Sequence, residues 1–491
     1  MDIILGIQSR MDPWKEDKTM KNWMRSKLWA VAGLFLVLGV WICWAAVEAS
    51  AAESDLAYYR QAKINWRQFE GQKLTIGLNK HQYTESLLPL IPEFEALTGV
   101  KVDYLILPEN EYGAKLTADL SNQRGEFTVI MAGAMRNWAY VPPGWMVPLE
   151  QFLNDPKLTD RSWYKIEDFF PSLIAANRWN GKMGGGIGEG PLWSIPVMAE
   201  SYILTYRKDI FDQYKIKVPK TYEELAEAAR LVKKNAGIDG IVARGTPNFP
   251  TLATGYLTGI KSYTDGKWAE LDEKMYAQFH DPRAVKFSKL WTDMLRESGP
   301  ANWANMTWYD GMETFAAGLA GMYPDCDFFA QTYEDPQKSK VAGKVGYALL
   351  PPGPAGTTYS GVFTWALGMS TATKNKGAAW LFIQWATSPR TLLNATVEFK
   401  NYNPTRVSVM NDPRTQKVMG GWGNGMYLKT VQENLKTARI AWVPNPERPR
   451  MGDIWARALQ EMYFKRLTPE EAMKRATDEV NKVFKDIGLQ K

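Results

Sequence analysis

Residues Leu74–Leu107 read LTIGLNKHQYTESLLPLIPEFEALTGVKVDYLIL. Leu74–Leu78 is an apolar run of strand length. Leu87, Leu88, Ile91, Phe94 and Leu97 then recur at helical spacing. Pro89 and Pro92 delay or bend the start of that helix, because proline lacks the N–H and locks φ. Gly99 stands where the left-handed residue after a helix belongs. Val100–Leu107 makes a second strand, Glu111–Asn122 a second helix and Phe127–Met131 a third strand. This β-α-β-α-β order predicts an α/β fold with a parallel sheet and helices on both faces. Ligands of such sheets sit beyond the carboxyl ends of the strands, here the loops Asn79–Tyr83 and Ala132–Trp138.

The whole chain has 491 residues, enough for two well-packed domains, with 45% hydrophobic and 23% charged residues. Its net charge of +6 is spread without a basic block, which argues against a nucleic-acid partner. The 21 tryptophans are a heavy load for this length. Core packing accounts for most of them, and flat walls of a binding cleft are the functional alternative.

Toward the amino terminus, Lys21, Arg25 and Lys27 precede the apolar run Leu28–Val47, followed by Glu48 and Ala49-Ser50-Ala51-Ala52. A basic start, an apolar middle and a small-residue exit describe a secretory signal over residues 1–51, cleaved after Ala51. The apolar run is also long enough to span a bilayer, so a retained anchor over residues 28–47 is the competing reading. Cys43 follows Ile42, a poor match to a lipoprotein signal. With the signal removed, Cys326 is the only cysteine, so no intramolecular disulfide forms and a buried small apolar role is expected. His81 and His280 are the only histidines, and there is no HExxH or CxxC. No transition-metal site and no cofactor are expected; calcium held by oxygens alone stays open.

Toward the carboxyl terminus, Thr221-Tyr222-Glu223-Glu224 and Thr468-Pro469-Glu470-Glu471 are capping boxes that open helices. In the second, Met473, Ala476, Val480, Val483 and Ile487 follow at helical steps and Gly488 ends the run. Gly184-Gly185-Gly186-Ile187-Gly188-Glu189-Gly190 superficially suggests a phosphate loop. Pro191, Trp193 and Pro196 follow it where a helix would be needed, so it reads as a hairpin loop.

Several segments together resemble the extracellular solute-binding proteins of ABC importers, in the branch with maltose- and polyol-binding proteins. Phe94–Val102 is similar to that family's first helix and second strand. Ile195-Pro196-Val197, Leu204–Phe211 and Pro219–Leu225 resemble its most recognisable block. Phe315–Met322 resembles a small-residue helix, and Asn375–Trp380 and Asn403-Pro404-Thr405-Arg406 follow in family order. The resemblance implies a two-lobed periplasmic binding-protein fold with three inter-lobe crossings and a ligand cleft between the lobes. By analogy the crossings fall near Met198–Ser201, Tyr323–Asp327 and Ser388–Thr391. After the lead-in segment 52–71, lobe one is then 72–198 plus 327–388, and lobe two is 199–326 plus 389–491. The implied protein is a periplasmic monomer that binds a sugar or polyol, delivers it to an inner-membrane ABC permease and is not an enzyme.

A sugar or polyol is recognised by flat rings against its C–H face and fixed polar groups on its hydroxyls. The strand-end rule offers His81, Gln82, Tyr83 and Trp138. The family analogy adds Glu200 and Tyr202 beside the first crossing, Asp325 and Phe328 at the second, and Trp308. Arg244 follows the apolar run Gly240–Ala243, which reads as a strand. Phe363 and Trp365 lie in Gly361-Val362-Phe363-Thr364-Trp365, and Arg406 occupies the family's P-x-R position, where it would either meet ligand or pin its lobe together. The same fold binding a peptide, an anion or iron, and a periplasmic glycosidase, are the alternatives. No motif places the facing carboxylate pair that a glycosidase needs, and Tyr58-Tyr59 lies before the first strand, the wrong place for an iron cleft.

Overall fold

β1 (Lys73–Asn79) pairs in parallel with β2 (Lys101–Leu107) along its full length, and with β3 (Val129–Ala132) at Ile76–Val129 and Gly77–Ile130. These strands belong to a computed structural model that describes residues 55–248, 252, 255–266 and 270–490. The signal reading of residues 1–51 lies outside the described residues. Residues 1–60 separate from Gln61–Lys491, and the second unit carries everything below.

The prolines act as the sequence implies. A short helix Gln82–Leu87 gives way to a 3-10 turn over Leu88–Leu90, and the helix Ile91–Thr98 starts afresh with Pro92 in its first turn. Gly99 closes that helix at φ 71°. The helix Glu109–Ser121 joins β2 to β3.

Past β3 the sheet stops being parallel. β3 pairs antiparallel with β9 (Gly361–Met369), and β9 pairs antiparallel with β6 (Ser194–Arg207). β6 follows β5 (Ile187–Leu192) after a single residue and, being antiparallel to β9, runs in the same direction as β3. β5 itself pairs with β4 (Arg178–Trp179), and the glycine segment 184–190 supplies the turn and the start of β5. The strand order is β2-β1-β3-β9-β6-β7, with β7 at Met322–Cys326. β8 (Val345–Ala348) lies beside β6 and β10 (Arg439–Ile440) beside β9. β6 changes partners along its length: Ser194–Ser201 pairs with β9, and Tyr202–Arg207 pairs with β7 and β8. One continuous strand therefore changes neighbours midway within a single sheet.

Among the described residues most of the tryptophans are core. Trp138, Trp179, Trp303, Trp380, Trp385, Trp442 and Trp455 are wholly buried. In the helix Lys376–Ala386 every residue from Ala378 onward is buried, and its indole N–H groups are satisfied. Trp380 Nε1 donates to Thr159 Oγ1 at 2.8 Å and Trp385 Nε1 to Glu93 Oε1 at 3.0 Å. Cys326 is buried, as expected of a small apolar residue.

Four local expectations need correction. Gly240–Ala243 is no strand: Asp239 forms an isolated bridge to Ala320, and only Val242 N–H reaches β7, at Met322 O. The small-residue segment Phe315–Met322 is no helix of its own. It is the end of the helix Trp308–Ala316, a turn through Gly318 at φ 78°, and the start of β7. The Thr468 box forms fully, but at Thr221 only half does: Thr221 Oγ1 accepts from Glu224 N–H, while the Glu224 carboxylate accepts from Lys220 N–H. Ile487 follows the last helix, Pro469–Asp486, and is exposed.

Candidate functional site

β1 ends at Asn79, and a hydrogen-bonded knot holds the loop after it. Tyr83 Oη donates to Asn79 Oδ1 at 2.6 Å and Thr84 Oγ1 to Asn79 O at 2.7 Å. His81, in extended backbone at φ −164° and ψ 163°, immediately precedes the short helix Gln82–Leu87 without a capping hydrogen bond from its side chain. Its ring centroid lies 5.2 Å from Tyr83, 4.5 Å from Trp365 and 5.8 Å from Phe328. Phe363 adds a further ring 4.9 Å from Trp365, because alternate residues of β9 share a face.

β3 ends at Ala132, and Gly133 follows at φ 126°. A Cβ there would stand 2.2 Å from Thr364 O, so only glycine lets the loop pass this close to β9. The loop leads into the helix Ala134–Tyr140, which carries Arg136.

Glu200 ties the rings together. Its Oε1 accepts from Trp365 Nε1 at 2.7 Å and lies 3.3 Å from His81 Nε2. Burial works to raise the Glu200 pKa, but the hydrogen bond and electrostatic attraction from His81 outweigh it, so the carboxyl sits below its usual range. His81 Nδ1 is buried with no hydrogen-bond partner among the described residues, a polar atom available to a ligand hydroxyl.

Beside this cluster, Arg244 and Asp325 hold each other in a two-pronged pair, at 2.9 Å from Nε and 2.7 Å from Nη2. Burial works against the Arg244 charge, and Asp325 more than offsets it, raising its pKa. Two proposed ligand contacts are thus already each other's partners. Asp327 lies deeper. It accepts from Ser201 N at 3.0 Å, Ser201 Oγ at 2.7 Å and Asn403 Nδ2 at 2.9 Å. Burial pushes its pKa up to about 7, against the hydrogen bonds from Ser201.

A cavity of about 260 Å³ opens along Trp365 and Phe363 and is further lined by Glu109, Gly133, Arg136 and Arg448. The Arg136 guanidinium lies 5.2 Å from the Tyr112 ring and 5.9 Å from Trp365, with Nη2 3.5 Å from Glu109 Oε1. Arg448 stands 6.0 Å from the ring of Trp138.

The structure thus gathers His81, Tyr83, Glu200, Phe328, Phe363 and Trp365, with Arg244 and Asp325 adjoining. It does not gather the rest. Gln82 is tied to Phe399 O at 3.3 Å. Tyr202 is buried against the backbone of Gly361. Trp138 is buried behind Arg448, and Trp308 is an exposed ring stacked 5.8 Å from Phe329. Arg406 is a correction to the ligand reading. It is wholly buried, donates to Thr387 O and Lys165 O at 2.7 Å each, and lies 3.8 Å from the Phe169 ring, so it pins the chain.

Arg136, Arg448 and Asp327 escaped the sequence reading. Arg136 lies within the loop that the strand-end rule selects, so the rule could have found it. Arg448 begins the helix Arg448–Tyr463, far along the chain and without any motif. Asp327 stands beside the chosen Phe328, but nothing local marks it as buried.

The family model for bacterial extracellular solute-binding proteins matches residues 80–391. The erythritol/L-threitol-binding protein of Mycolicibacterium smegmatis is 32% identical over 409 residues, covering 82% of this chain and 83% of the relative. The mannitol-binding protein of Pseudomonas aeruginosa is 26% identical over 298 residues, covering 60% and 64%. Among solved structures, an ABC transporter solute-binding protein from Agrobacterium radiobacter in complex with ribitol superposes with a TM-score of 0.70 at 24% identity, over 84% of this chain and 99% of the other. One from Agrobacterium vitis with bound D-mannitol gives 0.69 at 24% identity, over 85% and 99%. The family match and these relatives lead to one assignment: the chain belongs to the bacterial extracellular solute-binding proteins.

Proposed function

We propose that this protein is the exported solute-binding component of an ABC importer, and that it closes its two lobes on a sugar or polyol and passes it unaltered to an inner-membrane permease. One observation carries the ligand class. Flat rings surround His81, whose Nδ1 has no partner among the described residues, beside the fixed carboxylate of Glu200. Rings supply area for a C–H face, and fixed polar groups select hydroxyl positions. The names of the relatives agree with a polyol. Lobe one comprises 72–198 plus 327–388 and lobe two 199–326 plus 389–491. The change of partners in β6 between Ser201 and Tyr202 supports a crossing there.

In the same reading, residues 1–51 direct export, the mature chain begins near Ala52, and the protein acts in the periplasm as a monomer without nucleic acid. Among the described residues no helix is long and apolar enough to cross a membrane. Binding that must hold and then release its solute calls for a dissociation constant around micromolar, about 8 kcal/mol.

The test is a thermal-shift screen against sugars, polyols, peptides and ferric iron, followed by scattering on the hits. A stabilising sugar or polyol, with a radius of gyration that falls on its addition, is the expected result. Stabilisation by peptide or iron alone would overturn the ligand class and leave the fold standing.

A further inference from the structure

Asp327 is a buried carboxyl that lies one residue from two walls of the site. It follows β7 and precedes Phe328, whose ring stands 5.8 Å from His81. Its partner Ser201 follows Glu200 on β6. Neighbouring residues of a strand face opposite sides, so Glu200 turns to Trp365 and His81 while Ser201 turns to Asp327. Ser201 is also the last residue of β6 that pairs with β9; Tyr202, the next, pairs with Cys326 of β7. At this change of partners the Asp327 carboxyl joins β6, the end of β7 and the segment 401–405, through Ser201 and Asn403. That third segment is itself laid along β6, with Asn401 Nδ2 donating to Val197 O at 3.3 Å and Thr405 Oγ1 to Pro196 O at 3.0 Å.

The donors to Asp327 are neutral, and among the described residues no cation pairs with it. Arg244 is taken by Asp325. Cys326 Sγ lies 3.7 Å from Oδ1, Tyr427 Oη donates to Asp327 O at 3.4 Å, and Tyr333 stands on the helix that follows. Burial pushes that thiol and both phenols well above their ordinary values, so none carries charge near neutral pH. Glu200 is the charge that Asp327 meets. Burial, and with it the charge of Glu200, raises the Asp327 pKa to about 7, against the bonds from Ser201 and Asn403. The two oxygens differ. Oδ1 accepts from two N–H groups, which cannot accept in return, whereas Oδ2 faces the Ser201 hydroxyl at 2.7 Å, which can. A proton therefore goes on Oδ2, and that one bond reverses.

We propose that Asp327 is a positioning residue for solute binding: protonated, it holds Ser201 and Asn403 without a second negative charge behind Glu200; ionised, it opposes Glu200 and loosens the site. This rests on the solute-binding reading, and Asp327 itself touches no solute. A solute that covers the rings displaces water, and repulsion between two carboxylates grows as water leaves. The covered site thus holds the Asp327 proton more firmly than the open one. Affinity is then full below about pH 7 and is lost as pH rises through the higher, covered-site value.

The experiment is calorimetry with erythritol, ribitol and mannitol from pH 6 to 8.5, on wild type, Asp327→Asn and Ser201→Ala. Wild-type affinity should fall about three- to tenfold across that range. Binding near pH 7.5 should take up part of a proton, read as a heat that depends on the buffer. Asp327→Asn offers the same acceptor and a donor toward Ser201 Oγ without charge, so its affinity should keep the wild-type value of pH 6 throughout. Ser201→Ala removes a donor that favours the charged form, so its fall should begin at higher pH. A merely structural loss lowers affinity at every pH and moves no midpoint. His81 is common to all three proteins, so the differences between their profiles belong to Asp327. Should Asp327→Asn fold poorly, the shifted midpoint of Ser201→Ala carries the test. One profile shared by wild type and the variants, or a wild-type affinity that rises with pH, would overturn the proposal and leave the solute-binding reading intact. Failure of all three polyols to bind at any pH would overturn it together with the polyol reading.

Discussion

Arg406 and Arg136 both lie on aromatic rings, and the two regions around them do opposite work. Arg406 sits 3.8 Å from Phe169 and 4.9 Å from Tyr164, wholly buried, with its donors aimed at Thr387 O, Lys165 O and the Asp168 carboxylate. Those acceptors are backbone and side chain of the protein itself, fixed when the chain folds. Arg136 sits 5.2 Å from Tyr112 and 5.9 Å from Trp365, and it lines a cavity. Among the described residues its ionic partner is the half-exposed Glu109. What faces the edge of each guanidinium decides whether the residue holds the fold or stays open to a cavity.

The largest effect expected from this contrast is on folding. Arg406→Met leaves several buried acceptors without donors and should lower the unfolding free energy by about 3–5 kcal/mol. Arg136→Met, beside a cavity, should cost about 1 kcal/mol or less. Urea unfolding of both variants measures the difference, and equal losses would erase the distinction between the two regions.

Asp327 sharpens the contrast from the side of buried acids. Its pKa is raised to about 7 from an ordinary value of 3.8. The folded state therefore holds this proton at pH values where the unfolded chain has released it. The stability this proton confers is complete below about pH 4 and declines as pH rises toward 7, by roughly 2–4 kcal/mol if the group acts alone. Asp327→Asn keeps the shape and should remove that slope, gaining on the wild type as pH rises. Glu200 works in the other direction. Its folded pKa is lowered, so its stabilisation is present above the ordinary carboxylate range and fades as pH falls through the folded value. Unfolding curves of wild type and Asp327→Asn from pH 4 to 8 test the sign; a difference that stays constant would show that Asp327 does not titrate there.

The smallest effect separates a cleft tryptophan from a core one. Trp365→Ala removes the ring beside His81 and the donor to Glu200. Ligand affinity should fall by about tenfold or more, at least 1.4 kcal/mol. Its folding cost should be smaller than that of Trp380→Ala, which empties a fully buried site and costs about 3–5 kcal/mol. Titration and urea unfolding of both variants check this, and a larger folding loss at Trp365 would assign that ring to the core.

What the sequence by itself determined is local in origin. The strands and helices from Leu74 to Met131, the bend at Pro89, the left-handed close at Gly99 and the capping box at Thr468 all depend on contacts within a few residues. Their carriers are proline's missing N–H, glycine's freedom at positive φ and side-chain caps, so spacing alone reveals them. The site was legible as far as it lies at strand ends, which is why His81 and Tyr83 stood out. Tertiary structure decided the rest. β9 enters between β3 and β6 from far along the chain, making the sheet mixed. Arg244 and Asp325 claim each other, Arg406 turns inward to Lys165 and Thr387, and Arg448 arrives beside Arg136 from the opposite end of the protein. A charged side chain takes its role from the groups that surround it after folding, and those come from segments whose approach no local pattern encodes.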